Sequence, residues 1–170
     1  MKTLQATFRI SALPHDVVSR ARREMKDERG HTLSVRRDSS RHQCRACLRL
    51  TELEEGFILL SHSPFASDQP YVEVGSIFIH EKECRPYEKV QEYPGEFPRN
   101  AVVLRAYNIR DEIEDATVVG SRPVEDVIAR LFESPRVAYV HARNSTYGCF
   151  MFRIDRANVS HQPSADPVLH

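Results

Sequence analysis

Runs of apolar and alternating residues along the chain predict several β-strands that are grouped together and separated by only two helices. The clearest strands are Phe57–His62 and Gly75–His80, which are rich in Ile, Leu and Phe and follow turn residues. Similar but less distinct patterns predict further strands over residues 3–10, 33–36, 101–107, 113–119, 137–142 and 149–156. The last two would form a hairpin across residues 143–148.

Helical spacing of apolar residues occurs in two segments. The first helix is expected to start near Pro14 and Asp16, because proline fits a first turn and an acidic side chain suits the positive helix end, and to end by Gly30. Its inward face would hold Val17, Val18, Ala21 and Met25. The second helix would open at Pro123 and close before Pro135, and its apolar face would hold Val124, Val127, Ile128, Leu131 and Phe132. Grouped strands, two principal helices and long connecting loops predict an α+β fold with a mainly antiparallel sheet.

Length and composition indicate one core of ordinary size. The chain has 170 residues, of which 41% are hydrophobic and 28% charged, as in globular proteins. We expect a single α+β domain over residues 1–156 and a flexible C-terminal tail over residues 157–170. The first residues lack the apolar run of a secretory signal, and no segment reaches the roughly 18 apolar residues of a membrane span. These features predict a soluble cytoplasmic protein whose four cysteines form no structural disulfides.

The net charge of zero hides an uneven distribution along the chain. Residues 20–49 contain ten Lys or Arg and four Asp or Glu, whereas residues 50–96 contain three and ten. Two such surfaces neutralise each other when they lie close together, or they bind a charged partner. The basic stretch has no interleaved aromatic residues, so nucleic-acid binding is not expected.

Alternation along three predicted strands places polar side chains on matching faces. Residues i and i+2 of a strand share a face, so Arg105 points the same way as Tyr107, and Tyr139 the same way as His141. In the last strand Phe150, Phe152 and Ile154 would form the core face, with Cys149, Met151 and Arg153 on the opposite face. If the strands pair, one face of the sheet collects Arg105, Tyr107, Tyr139, His141, Cys149 and Arg153. The alternative is a solvated sheet face with ordinary cross-strand pairs.

Such a face has the chemistry of a site for an anionic ligand, because arginines bind carboxylates through paired donors and Tyr and His orient a ligand. The predicted ligand-binding residues are Arg45, Arg105, Tyr107, Tyr139, Arg143 and Arg153. His141 would be the catalytic acid or base, because an unperturbed histidine titrates near a pKa of about 6.5. Cys149 or Cys44 would be a nucleophile if its thiolate is stabilised. The sequence has no glycine-rich phosphate loop and no His-Glu-x-x-His motif.

The segment Cys44-Arg45-Ala46-Cys47 has the spacing of thiolate metal sites and of redox pairs. A zinc site needs four ligands, and the chain has no second Cys-x-x-Cys. Cys44, His80 and Cys84 are the alternative metal ligands, with His62, His141 and Cys149 as further candidates. The competing interpretation is that the cysteines are small buried apolar side chains, so the cofactor stays unknown and zinc is one alternative.

Short motifs in a fixed order carry a resemblance to a known family. They are Cys44-Arg45-x-Cys47-Leu48, Pro64-Phe65 to Pro70-Tyr71, Gly75–His80 with Cys84-x-Pro86-Tyr87, Leu104 to Tyr107, Leu131-Phe132, Val137 to Arg143, and Cys149-x3-Arg153-x-Asp155-Arg156. From about Phe8 to Arg156 the chain is similar to a bacterial family catalogued as domain of unknown function 1203. The resemblance implies a small stand-alone domain with no established activity and no catalytic residues to transfer. It also implies that the position of Cys47 can carry serine, which shifts interest to Cys44 and Arg45.

Three functions are open at this point. The first is a protein or enzyme that binds a small anionic ligand on the polar sheet face. The second is a protein-interaction module that docks a partner through its charged surfaces or through the long connection over residues 81–99. The third is a structural zinc-binding domain. A homodimer formed through an edge strand is compatible with all three.

Overall fold

The computed structural model describes residues 8–89 and 91–157. The predicted tail lies outside the described residues except for Ala157, and so does the beginning of the predicted first strand. The elements in chain order are β1 (Phe8–Ser11), α1 (His15–Glu24), β2 (Val35–Arg36), β3 (Phe57–His62), β4 (Gly75–His80), β5 (Val102–Tyr107), β6 (Ile113–Val118), α2 (Val124–Leu131), β7 (Tyr139–Asn144) and β8 (Phe150–Arg156). The α+β class and the antiparallel pairing predicted from the sequence are confirmed.

A five-stranded sheet in the order β1-β8-β7-β5-β6 forms the larger part of the structure. Every neighbouring pair is antiparallel, and successive residues of each strand point to opposite faces of the sheet. The core face includes Leu104, Val140 and Ile154, which are fully buried and pack with the apolar side of α2. The helix buries its apolar residues against this face, which explains why it forms from only eight residues.

A three-stranded sheet in the order β2-β3-β4 packs with α1 around a second, smaller core. Val18 and Ala21 of the helix are buried there, next to Ile58 and Ile79 of the sheet. The helix ends at Glu24, before Gly30 as expected, but Gly30 as its left-handed stop was wrong, because Met25 takes that conformation with a φ of 48°. The Met25 N–H bonds to Ala21 O and the Met25 carbonyl accepts the N–H of Leu33, so the chain turns back immediately.

A β-bulge in β8 changes which residues of that strand face the core. Ala142 pairs with Phe152, but its neighbour Arg143 pairs with Phe150, so Met151 is an extra residue in the strand. Met151 therefore lies in the core, and the Phe150 ring lies against the ring of His141 on the opposite face. The predicted core face of Phe150, Phe152 and Ile154 was wrong for Phe150 and right for the other two.

The two sheets meet through residues 43–50, which we call the cysteine turn. The Arg45 side chain is 2% exposed, and its Nε donates to the carbonyl oxygen of Phe150 in β8 at 2.7 Å. The Arg45 backbone N–H bonds to Phe78 O in β4, and its carbonyl accepts the N–H of Leu13. One residue thus joins the end of β1, the three-stranded sheet and the five-stranded sheet.

Two surface ion pairs connect the basic stretch of the sequence with the acidic one. Arg37 pairs with Glu81 at 2.6 Å, and Arg41 pairs with Glu52. The two stretches therefore neutralise each other in part, as one of the sequence interpretations expected. Neither helix in the described parts of the chain is long and apolar enough to cross a membrane.

Replacement of Ile154 by alanine is expected to lower the free energy of unfolding by about 2–5 kcal/mol, because it empties a fully buried position between two strands. Urea unfolding followed by circular dichroism measures this change. Ile109 is 90% exposed and offers the matched control, since Ile109→Ala should change stability by no more than about 0.5 kcal/mol. Equal losses in both variants would contradict the assignment of the core face.

Candidate metal centre and polar cavity

Four side chains converge between the cysteine turn and the end of β4. The ligand atoms of Cys44, Cys47, His80 and Cys84 all lie within 4.8 Å of one another, and we call these four residues the metal cluster. The Sγ atoms of Cys44 and Cys84 are 3.9 Å apart, and Cys47 Sγ lies 3.4 Å from Nδ1 of His80. Cys44, Cys47 and His80 are buried, whereas Cys84 is partly exposed. All four cysteines of the chain are free thiols.

The backbone of the cysteine turn places its two thiols side by side. Gln43 and Leu50 form an antiparallel bridge, and the N–H of Cys44 bonds to Arg49 O within it. The Leu48 N–H bonds to Cys44 O, and Leu48 itself has a φ of 53°, in the left-handed region. This tight reversal brings two cysteines that are three positions apart to one side of the turn.

The second pair of ligands comes from the end of β4. Cys44 forms a parallel bridge with Phe78, which fixes the cysteine turn beside this strand. His80 is the last residue of β4, and Cys84 follows four residues later after a bend. The N–H of His80 also donates to Cys44 Sγ at 3.4 Å, so the strand end and the turn are held together by backbone as well as side-chain contacts.

Two charged side chains contact the outside of the metal cluster. Arg22 of α1 donates through Nη2 to Cys84 Sγ at 3.4 Å and through Nε to the carbonyl oxygen of His80 at 3.1 Å. The other ring nitrogen of His80, Nε2, lies 3.6 Å from a carboxylate oxygen of Glu55. A carboxylate behind a histidine ligand is a common arrangement at zinc sites, where it fixes the ring orientation.

The proximity of the four groups changes their protonation. Hydrogen bonds with Cys47 and Cys84 raise the pKa of His80 to about 10. Hydrogen bonds from Cys44 and Cys47 lower the pKa of Cys84, and the hydrogen bond with Cys44 raises that of Cys47. For Cys44 the contact with Cys47 acts to lower the pKa, but Cys84 and burial together raise it. Without a metal, the cluster therefore favours one thiolate beside a protonated imidazole.

A separate polar cavity of about 280 Å³ lies where the polar face of the five-stranded sheet meets the loop between β3 and β4. Arg105 of β5 and Arg143 of β7 both reach the carboxylate of Glu73, which comes from that loop. Arg105 Nη1 donates to Glu73 Oε1 at 2.9 Å. Arg143 Nη2 lies against the same oxygen without hydrogen-bond geometry, so that contact is an ion pair only.

Next to this cavity His141 is enclosed by aromatic rings. The ring centroids of Phe65, Tyr107, Tyr139 and Phe150 all lie within 5.1 Å of that of His141. The histidine is fully buried, and neither ring nitrogen has a hydrogen-bond partner. Burial and the nearby guanidinium groups lower the pKa of His141 to about 2, so the ring is neutral at pH 7.

The predicted hairpin of β7 and β8 is confirmed, and β5 pairs with β7, so Arg105 lies beside His141 and His141 beside Arg153 across the sheet. Tyr107 and Tyr139 are stacked with ring centroids 5.2 Å apart. Arg153 lies 3.8 Å above the ring of Tyr139 and also pairs with Asp155. The Tyr139 hydroxyl donates to Asp111 at 2.6 Å, and burial raises the pKa of Tyr139.

Of the other predicted site residues, Cys44 and Arg45 lie apart from Arg105 and Arg143, whereas Cys149 shares their cavity. Cys44 belongs to the metal cluster and is fully buried, so the structure does not join it to His141. Arg45 lines a neighbouring cavity of about 800 Å³ and uses its Nε and Nη1 on backbone carbonyls. Cys149 is partly exposed and lines both cavities. The catalytic roles of His141, Cys149 and Cys44 stay predictions.

Two residues at these sites were missed by sequence reasoning. Cys47 was not included among the alternative metal ligands, although its spacing from Cys44 is typical of a thiolate metal site. The structure places it with Cys44, His80 and Cys84. Glu73 gave no signal, because a single acidic residue in a loop has no pattern from which its contacts can be predicted. The alternative metal ligands Cys44, His80 and Cys84 are brought together by the structure.

Comparison with known proteins gives one match. Residues 41–156 match the model of a family described as "Protein of unknown function (DUF1203)". This range contains the metal cluster and the three residues of the Arg105–Glu73–Arg143 contact, but not Arg22. No curated protein and no solved structure matches the chain.

Replacement of His141 by phenylalanine is expected to make the protein less sensitive to acid. The folded state keeps His141 neutral, whereas the unfolded chain takes up a proton as the pH falls through about 6.5, so stability is present above that pH and is lost below it. This residue should account for about 2 kcal/mol of the stability lost between pH 7.5 and pH 5. Urea unfolding at both pH values should therefore show a smaller loss in His141→Phe. The exposed His15 gives the control His15→Phe, and equal losses in the two variants would contradict the neutral, buried state of His141.

Proposed function

The chain belongs to the DUF1203 family, whose function is unknown, and we propose from the geometry that it is a zinc-binding domain with a structural Zn²⁺ held by Cys44, Cys47, His80 and Cys84. The observation that carries the proposal is the convergence of all four ligand atoms within 4.8 Å. The ligands come in two pairs, Cys-x-x-Cys and His-x-x-x-Cys, from segments more than thirty residues apart in the sequence.

Ligand chemistry and distances favour zinc over other cations. Three thiolates and one imidazole are soft or borderline donors, which suit Zn²⁺, whereas Mg²⁺ and Ca²⁺ require oxygen. A tetrahedral site with Zn–S bonds of about 2.3 Å has sulfur atoms about 3.8 Å apart. The separation of Cys44 Sγ and Cys84 Sγ is 3.9 Å, so the four side chains can bind the ion with little rearrangement.

The number of ligands and their burial favour a structural role. Four protein ligands complete a tetrahedral shell and leave no position for water or substrate, as in structural zinc sites. The ion would join the cysteine turn to the end of β4 and so stabilise the segment that connects the two sheets. Such a site contributes directly to the free energy of folding, because the unfolded chain does not hold the ligands together.

Charges around the metal cluster fit a bound ion. Three thiolates and Zn²⁺ leave one net negative charge. The guanidinium of Arg22 offsets it at Cys84, and the N–H of His80 donates to Cys44 Sγ. Glu55 lies behind His80 and would hold the ring with Nδ1 towards the metal. We extend the proposal to a cytoplasmic location, where thiols stay reduced and available to the ion.

A redox pair formed by Cys44 and Cys47 is the competing use of the same residues. A redox-active cysteine needs an accessible thiolate, whereas Cys44 is 0% and Cys47 2% exposed. In addition, the described stretch from Cys47 to residue 89 contains no helix whose start could lower the pKa of a thiol there. Burial and the third thiol therefore support metal binding more strongly than disulfide exchange.

Protein purified without added zinc is expected to contain about one equivalent of Zn²⁺, measured by plasma mass spectrometry. Cys47→Ser should reduce bound zinc at least about tenfold, because it removes one of four ligands. The same variant should lower the melting temperature of the protein, as should a chelator added to the wild type. Replacement by Co²⁺ should give the charge-transfer and ligand-field absorption of tetrahedral thiolate coordination.

Cys149→Ser provides the matched control, since it also removes one thiol but lies outside the metal cluster. Its metal content should equal that of the wild type. Less than about a tenth of an equivalent of any metal in the wild type, or equal loss in the two serine variants, would refute the zinc site.

Replacement of Glu55 by glutamine is expected to weaken zinc binding about tenfold or more, because outer carboxylates orient histidine ligands and raise their basicity. Competition with a chromophoric chelator measures the affinity. The control is Glu54→Gln, because Glu54 is exposed and lies one position away in the sequence. This variant should leave the zinc affinity unchanged. Equal affinities of the two variants would show that Glu55 has no role at the metal.

A further inference from the structure

The polar cavity contains more positive than negative charge. Its floor holds the guanidinium groups of Arg105 and Arg143, and Glu73 is the carboxylate that both of them contact. The Arg143 side chain is only 4% exposed, so its charge is not compensated by water. The other nearby arginine, Arg153, has its own partner in Asp155. Two guanidinium groups, one of them buried, therefore share a single carboxylate.

The hydrogen-bond donors show the same imbalance. Arg143 Nη1 donates to Gly148 O at 3.1 Å, but its Nε has no acceptor. Arg143 Nη2 lies against Glu73 without hydrogen-bond geometry, so a second donor of this buried guanidinium also lacks a well-formed hydrogen bond. Buried polar groups are nearly always hydrogen-bonded, so two unpaired N–H donors on a buried guanidinium that lines the cavity indicate a ligand that accepts.

Glu73 shows which chemical group fits between the arginines. Its carboxylate contacts both guanidinium groups through a single oxygen, so the position between the arginines already accepts a carboxylate, while the paired two-oxygen geometry that arginine favours is not used. The Glu73 side chain is 40% exposed and sits on the connection between β3 and β4, so it can turn outward without disturbing a core. The hydrogen bond that Glu73 accepts from Arg105 is partly buried.

We propose that the polar cavity binds a small molecule through a carboxylate group, held by Arg105 and Arg143, and that Glu73 is an intramolecular occupant which the ligand displaces. The cavity of about 280 Å³ limits the ligand to a few carbon atoms beyond the carboxylate. Its rim includes His62, Tyr147 and Cys149, which would contact the rest of the molecule. The proposal is independent of the zinc site.

Acetate is the probe, because Glu73→Ala removes a group of the size of acetate from the cavity. Acetate should raise the melting temperature of Glu73→Ala in a saturable manner, whereas neutral acetamide at the same concentration should not. The wild type should bind acetate at least about tenfold more weakly, since there the ligand must displace Glu73. Addition of Arg105→Ala to Glu73→Ala should abolish the effect. Chloride keeps the ionic strength constant throughout.

Glu114→Ala is the matched control, because Glu114 also forms an ion pair, with Arg136, but lies away from the cavity. If Glu73→Ala does not fold, Glu73→Gln keeps the shape of the side chain and its acetate binding is measured by NMR titration. Zinc content is measured in every variant, so that loss of the metal is recognised separately from loss of the ligand site.

Several outcomes would overturn the proposal. Equal effects of acetate and acetamide, or equal effects on Glu73→Ala and Glu114→Ala, would show that the arginines and Glu73 form an ordinary structural ion pair. Tighter acetate binding by the wild type than by Glu73→Ala would mean that Glu73 is not a competitor. Tighter binding of inorganic phosphate than of acetate by Glu73→Ala would exclude a carboxylate as the preferred group.

Discussion

The burial of Arg45 is the interaction on which the arrangement of this protein depends. A guanidinium placed in the interior is costly unless its donors find acceptors, and here the carbonyl oxygens of Phe150 and Gln43 provide them. Burial lowers the pKa of Arg45 to about 10, so the guanidinium stays protonated at neutral pH. Because its backbone also bonds to β4 and to Leu13, a single residue sets the position of the cysteine turn relative to both sheets.

The two sheets carry two chemically different sites. On the side of the smaller sheet, the cysteine turn presents two thiols to His80 and Cys84, and soft donors dominate. On the polar face of the larger sheet, guanidinium groups surround one carboxylate, and hard, charge-assisted contacts dominate. The sites share no residue, so the zinc ion proposed for one would maintain the framework independently of the ligand proposed for the other.

Much of the fold could be predicted from local patterns, and most of what could not depends on contacts distant in sequence. The bounds of β3 and β4 follow from their apolar runs, and alternation placed Arg105 and His141 on matching strand faces, which the fold pairs. The bulge at Met151 could not be predicted, because one extra residue reverses the alternation without changing composition. Likewise, the Cys-x-x-Cys spacing was visible in the sequence, but only the fold shows that His80 and Cys84 complete it and that Glu73 reaches two arginines.

The extra residue in β8 affects which sequence changes the hairpin of β7 and β8 can tolerate. In a strand without a bulge, side chains alternate between the two faces of the sheet from end to end. A residue gained or lost at the tip would therefore change the face of the core residues. The bulge divides β8 into two segments whose inward and outward positions are set separately. The tip, with Phe150 and Cys149, can therefore gain or lose residues while Phe152 and Ile154 keep their places in the core. Residues at the rim of the cavity can therefore change without moving the core residues on which stability depends.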